Sequence, residues 1–77
     1  MVEEWILFSG PNCPWCDRAK ALLDTRGITY TEIKIDSRDK FQYMQEYAPG
    51  ARTVPVIWHR GTTLVGYPAL VEYLDTI

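Results

Sequence analysis

GPNCPWCDRAK, residues 10–20, holds both cysteines of this chain, with only Pro14 and Trp15 between them. Before it runs Trp5-Ile6-Leu7-Phe8, an unbroken apolar stretch short enough to be a strand buried on both faces. After Cys13 the pattern turns helical. Cys16, Ala19, Leu22 and Leu23 share a face from Pro14 to Arg26, and Gly27 is a natural stop. Pro14 suits a first helical turn, where no backbone donor is needed, so Cys13 is expected at or beside the N-cap. The stretch is therefore read as a strand-to-helix junction, with Gly10 and Pro11 punctuating the loop.

Residues 29–35 alternate, with Thr31, Ile33 and Ile35 on one side and Tyr30, Glu32 and Lys34 on the other, as a strand does. Asp36 or Ser37 can cap a second helix running to about Tyr47, with Phe41, Met44 and Ala48 along one face, and Pro49-Gly50 ends it. A second apolar strand is expected from Val54 to Trp58 with Pro55 at its beginning. Arg60-Gly61-Thr62 then turns the chain into a shorter strand, Thr63 to Val65. The last helix is expected from near Pro68, where Leu70, Tyr73, Leu74 and Ile77 recur at helical spacing. The order βαβαββα implies a parallel crossover followed by an antiparallel hairpin, hence an α/β fold with a four-stranded mixed sheet flanked by three helices.

With 77 residues the chain is expected to be one domain, residues 1–77, near the lower limit for a self-sufficient core. Hydrophobic residues make up 47% and charged ones 23%, which excludes a disordered chain. A net charge of −2 gives no global basic field to draw nucleic acid or an anionic membrane. The start, MVEEW, is acidic where a secretory leader is basic, and no long apolar segment follows. A mature, cytoplasmic protein is the expectation. In a reducing compartment a Cys-x-x-Cys pair is catalytic or metal-binding more often than structural.

Structural zinc normally takes four Cys or His ligands, and beyond the two cysteines only His59 could serve, so no metal site is expected. A structural disulfide across so short a loop would remove little chain entropy. What remains is redox reactivity. Unpaired N–H groups and the dipole at a helix start favour a thiolate over a thiol. Arg18 and Lys20 add positive potential there and Asp17 opposes it. Cys13, outermost, is thus the expected nucleophile, and Cys16, on the apolar face, the buried thiol of higher pKa. Cys13 would attack a substrate disulfide and Cys16 resolve the mixed disulfide, leaving a Cys13–Cys16 bond. A second signal is Arg52-Thr53-Val54-Pro55, where a cis Val54–Pro55 bond would shape a tight loop; alone, the segment fits an ordinary edge-strand proline better.

CPWC, the GARTVP segment before the third strand and Gly66 after the fourth stand in the order and spacing of dithiol glutaredoxins, which the chain resembles over nearly its whole length. The resemblance implies a thioredoxin-like fold and a glutathione-linked thiol–disulfide oxidoreductase active in electron transport. It implies Cys13 as nucleophile, Cys16 as resolving thiol and Pro55 as a cis-proline. Further, the backbone at Val54 would pair with a glutathionyl substrate, with Gln42 and Arg52 near its glycine-end carboxylate; Thr53, Gly66 and Tyr67, with Trp15, are the other expected substrate-binding residues. No tightly bound cofactor is implied. Glutathione would be the reductant, disulfide-bearing proteins the substrates, and the protein a monomer.

The chain departs from that pattern in places. Gly10 stands where many members carry Lys, and Gly66-Tyr67-Pro68-Ala69-Leu70 replaces the Gly-Gly and Ser/Thr-Asp or Cys-Asp run whose side chains hold the γ-glutamyl end of glutathione. The Gly-aromatic-Pro ending resembles glutaredoxin-like hydrogen donors of ribonucleotide reductase, some recharged by thioredoxin reductase; in lying between the two types the chain is similar to short phage-encoded glutaredoxins. A third possibility is a dimer sharing an iron–sulfur cluster through Cys13 and two glutathiones, which members with a small residue in place of Pro14 form. Trp15, where the family usually has Tyr, reads equally as a platform for a bound partner or as an aromatic shield over the disulfide. Tyr67 reads as a wall of the site or as the lead into the last helix. His59 is expected solvated near a strand end, and Trp5 and Trp58 as packing residues.

Overall fold

The computed structural model describes residues 4–77, so the acidic start of the sequence reading lies partly outside the described residues. The elements are β1 (Trp5–Ser9), α1 (Pro14–Thr25), β2 (Thr31–Lys34), α2 (Arg38–Tyr47), β3 (Val56–His59), β4 (Thr62–Val65) and α3 (Tyr67–Thr76). The sheet runs β2-β1-β3-β4, with β1 parallel to β2 and antiparallel to β3, and β3 antiparallel to β4.

All five residues of β1 are buried, which is why its sequence shows no polar alternation. Its side chains nevertheless divide between two cores. Trp5 and Leu7 meet Ala19 and Leu23 of α1 and Leu70 and Leu74 of α3. Ile6 and Phe8 meet Met44 of α2 together with Ala48 and Val56. α1 and α3 thus cover one face of the sheet and α2 the other, which carries the end of β1, and with it the cysteine loop, to the rim between layers.

Several boundaries differ from the sequence reading. β2 is shorter than residues 29–35 because it is an edge strand pairing only with β1, over Ile6 to Ser9. The Ile35 N–H still donates to the Ser9 carbonyl at 2.7 Å, but pairing ends there. β3 begins after Pro55 rather than at Val54, since the Val54–Pro55 peptide is cis and proline has no N–H for a ladder. The hairpin turn is only Arg60-Gly61, at φ 52° and 81°, the positive values that a two-residue turn between right-twisted strands demands. Of the two candidate caps for α2, Ser37 serves: its Oγ accepts the Lys40 N–H at 3.3 Å. α3 begins one residue before Pro68, with Gly66 as N-cap at φ 96°, a region that a side chain would strain.

His59 is the clear correction. It is buried, not solvated, with 3% of its surface exposed. Its ring stacks on Trp5 at 3.8 Å between centroids, and its Nδ1 shares a 2.9 Å hydrogen bond with the Tyr73 hydroxyl. β1 and β3 place residues 5 and 59 directly opposite each other, and α3 supplies the phenol that satisfies the buried imidazole.

Candidate active site

Asn12, at φ 51°, turns the chain out of the loop and delivers Cys13 to the N-cap of α1. Asparagine tolerates that left-handed conformation better than most residues. Cys13 is extended, at φ −119° and ψ 90°, and its Sγ accepts the Cys16 N–H at 3.1 Å. Its carbonyl takes the N–H groups of Cys16 and Asp17 at 3.1 and 3.2 Å. A cysteine sulfur therefore occupies the place where a Ser or Asp oxygen usually caps a helix. Pro14 follows within the first turn, and one turn on Cys16 points into the core with 1% of its surface exposed. The two sulfurs are joined as a disulfide, with Cα atoms 5.2 Å apart, and Cys13 is the half-buried partner that solvent can reach.

Opposite Cys13 stands the loop before β3. The Cys13 Sγ lies 3.8 Å from the Val54 carbonyl oxygen, immediately before the cis peptide to Pro55. Pro55 is buried, and its carbonyl accepts the Gly66 N–H at 2.9 Å, which fixes the start of α3 against the loop. Between them a 290 Å³ groove is walled by Trp15, Val54, Pro55, Gly66, Tyr67 and Pro68. The fold thus gathers five residues that the sequence separates by up to 52 positions: Trp15 from α1, Val54 and Pro55 from the loop, Gly66 and Tyr67 from the start of α3.

Arg52 and Thr53 lie exposed on the same loop as Val54, and Arg52 makes no ion pair among the described residues. Gln42 is exposed on α2 and is not among the residues lining the groove. The glutamine that shapes the loop is Gln45, three residues on: its Oε1 accepts the Gly50 N–H at 2.8 Å and its Nε2 donates to the Ala51 carbonyl at 2.6 Å. Its signal in the sequence is a glutamine in the last turn before a Pro-Gly stop.

The charges beside the helix start also differ from the sequence reading. Lys20 is paired with carboxylates. Its ammonium reaches Glu32 of β2 at 3.1 Å and Asp17 at 3.6 Å, and the Glu32 hydrogen bond raises its pKa. Glu32 in turn accepts the hydroxyl of buried Ser9 at 2.7 Å, and that bond, followed by the one from Lys20, holds its carboxyl below the usual range. Arg18 lies with its guanidinium carbon 4.6 Å from the centre of the Trp15 ring, and Tyr67 approaches the indole at 5.5 Å between centroids. Trp15 remains 51% exposed, flanked by both. One contact at helical i,i+3 spacing, from Arg18, and one across the fold, from Tyr67, thus position its indole.

Gly10 has a packing role. A Cβ built there would meet Cγ2 of Val54 at 3.2 Å, closer than nine in ten real Cβ contacts. The missing side chain lets the Val54 loop close onto the end of β1. Among the described residues no group of three or more His, Cys, Asp or Glu is placed to hold a metal, and no helix is long and apolar enough to cross a membrane.

The glutaredoxin family model matches residues 6–64. A glutaredoxin of Pseudomonas aeruginosa is 36% identical over 61 residues, which are 79% of this chain and 71% of the relative. A probable glutaredoxin of Synechocystis is 43% identical over 53 residues, 68% of this chain and 49% of that longer protein. Among solved structures, the Brucella melitensis glutaredoxin superimposes with a TM-score of 0.76 at 34% identity, covering 99% of this chain and 82% of that one. The buckwheat glutaredoxin–glutathione complex does so with a TM-score of 0.77 at 28% identity, covering 96% and 70%. The NrdH-redoxin of Escherichia coli, with a TM-score of 0.75 at 21% identity and coverage of 92% and 93%, shares the fold.

Proposed function

The chain belongs to the glutaredoxin family and is a thiol–disulfide oxidoreductase of thioredoxin-like fold, and on that basis we propose that it is glutathione-linked, reducing glutathione mixed disulfides and protein disulfides through Cys13 and Cys16. One observation carries the reading: the Cys13 sulfur, capped by the Cys16 N–H at 3.1 Å, faces the Val54 carbonyl at 3.8 Å beside a cis-proline groove.

In the reduced protein the N–H groups at the start of α1 favour the Cys13 thiolate. The thiolate attacks a substrate sulfur, forming a new S–S bond and releasing the other substrate sulfur as a thiolate that takes a proton. When the substrate is a glutathione mixed disulfide, a second glutathione thiolate attacks the glutathionyl sulfur on Cys13, releasing oxidised glutathione. When it is a protein disulfide, the Cys16 thiolate attacks Cys13 Sγ, expels the substrate's second thiol and leaves the Cys13–Cys16 disulfide. Two electrons have then passed to the substrate. Two glutathiones return them, the first attacking Cys13 because Cys16 is 1% exposed and closed to an incoming thiol.

The substrate's cysteinyl part lies in the 290 Å³ groove against Val54, Pro55, Gly66 and Tyr67, with Trp15 as its outer wall. Arg52, with Thr53 beside it, supplies the positive charge for the glycine-end carboxylate, and Gln42 an amide. A second reading has thioredoxin reductase recharge the protein for a partner such as ribonucleotide reductase. The observation favouring it is the start of α3, where Gly66 offers no side-chain cap and the first turn holds no acid for a γ-glutamyl ammonium.

The separating experiment is the rate of glutathione-dependent reduction of a small glutathione mixed disulfide, coupled to glutathione reductase. A fast rate, abolished by Cys13→Ser and retained in Cys16→Ser, is expected. A negligible rate from protein whose Cys13–Cys16 bond is intact and reducible transfers recharging to thioredoxin reductase. Activity surviving Cys13→Ser would overturn the assignment of the nucleophile.

A further inference from the structure

Beyond Trp15 the surface opens into a second groove of 620 Å³ between α1 and α3, lined by Trp15, Arg18, Tyr67, Val71, Glu72 and Asp75 among others. Its volume lies within the ~300–1,000 Å³ usual for a ligand site. Trp15 and Tyr67 also wall the inner groove, so the two are continuous around the indole. An occupant bonded to Cys13 and filling both must run on past the reacting sulfur, as a polypeptide chain does.

The lining states what that chain should carry. The floor is aromatic and aliphatic, and Trp15 keeps 51% of its surface exposed. On the α1 side the one cation, Arg18, is laid over the Trp15 face. On the α3 side the rim is acidic, and the helix sequence YPALVEYLDT holds no basic residue. Asp75 is partly answered by Arg26 at 3.3 Å. Glu72, exposed, makes no ion pair among the described residues.

We propose that this outer groove binds the polypeptide flanking the attacked cysteine of a protein disulfide, with an apolar side chain against Trp15, Tyr67 and Val71 and a basic side chain over Glu72. The inference rests on the reaction proposed at Cys13 and adds a substrate class to it: protein disulfides whose neighbouring sequence is apolar and basic. Surface pairing of this kind gives specificity more than raw affinity.

The test uses two short peptides of equal length, identical but for Lys or Glu near one cysteine, each held as a disulfide with mercaptoethanol so that glutathione contacts do not intrude. Pre-reduced wild-type protein, followed over a single turnover, should react about two- to fivefold faster with the Lys peptide than with the Glu peptide, and less so at high salt. Glu72→Lys should reverse the order and Glu72→Gln abolish it. Trapped on Cys13 of the Cys16→Ser protein, the Lys peptide should shift the amide resonances of Val71 and Glu72 beyond what trapped glutathione does. Equal rates for both peptides in all three proteins, or no shift at Val71 and Glu72, would overturn the groove while leaving the chemistry intact. Failure of the wild type on both peptides and on a small symmetrical disulfide would instead overturn the reaction beneath it.

Discussion

Gly10 and Val54 make the tightest argument at the scale of single residues. The Val54 carbonyl faces the nucleophilic sulfur at 3.8 Å across the groove, and Val54 Cγ2 is what a side chain at position 10 would meet at 3.2 Å. Val54 is half-buried, so it can give by a few tenths of an ångström, but only by moving the peptide that faces Cys13. Gly10→Ala should therefore cost about 1 kcal/mol in stability, the low end of what overpacking costs. It should also raise KM for a glutathione mixed disulfide about two- to fivefold with kcat nearly unchanged. Gly10→Lys adds the same Cβ plus a positive charge. Kinetics on the pair separate shape from charge: if Gly10→Ala leaves KM where it was, the Val54 contact does not govern binding. Cys13 as N-cap and Cys16 in the core were legible because both follow from helix spacing within one short stretch. Gly10's role was not, because its neighbour lies 44 residues away and a glycine advertises no contact.

Among elements, the joint between α1 and β2 is held by charge. Glu32 receives the Ser9 hydroxyl and the Lys20 ammonium, its carboxyl is held below the ordinary range, and the Lys20 and Glu32 side chains are 25% and 30% exposed. A carboxyl whose folded pKa is depressed contributes stability that is fully present above its unfolded value, about 4.3, and is lost as pH falls through the lower folded value. Lys20, raised by the same bond, contributes at every pH below about 10.4 and loses its share as pH climbs through its folded value. Glu32→Gln should thus lower stability near neutrality by about 0.5–1 kcal/mol, discounted for solvent screening. The gap to wild type should narrow as pH falls below the ordinary carboxylate range. Urea midpoints at pH 7 and pH 3 measure both, and a gap independent of pH would show that the carboxylate charge contributes nothing. The sequence offered Lys20 as a cation for the sulfur because local spacing was all it displayed. Its actual partner sits 12 residues on, in a strand that only the parallel β1–β2 pairing brings alongside. Element order and type were readable from periodicity, while the ends of β2, β3 and α3 were set by what each pairs with or leaves.

At the scale of the whole molecule, one sheet separates two small cores, and the groove depends on both. Leu70 of α3 is fully buried against Leu7, Ala19 and Leu23, and the same helix carries Tyr67 and Glu72 at its exposed side. His59 shows why such linkage escapes a linear reading: its partners Trp5 and Tyr73 come from the first strand and the last helix, so a polar residue at a strand end is sealed by the two extremes of the described chain. A domain of this size commands only about 4–12 kcal/mol in all, at 0.05–0.15 kcal/mol per residue. Leu70→Ala should remove about 2–5 kcal/mol of that, a large share, and Leu70→Met less than about 1.5. Because α3 presents the groove wall but does not hold the cysteines, activity per folded molecule in Leu70→Met should stay close to wild type, while Leu70→Ala should lose activity in step with its unfolded fraction. Urea unfolding followed by far-ultraviolet circular dichroism, with activity assayed along the same transition, makes the comparison. If Leu70→Ala lost activity well before it lost secondary structure, α3 would be a separable flap rather than part of one cooperative unit, and the groove would then be gated by its docking.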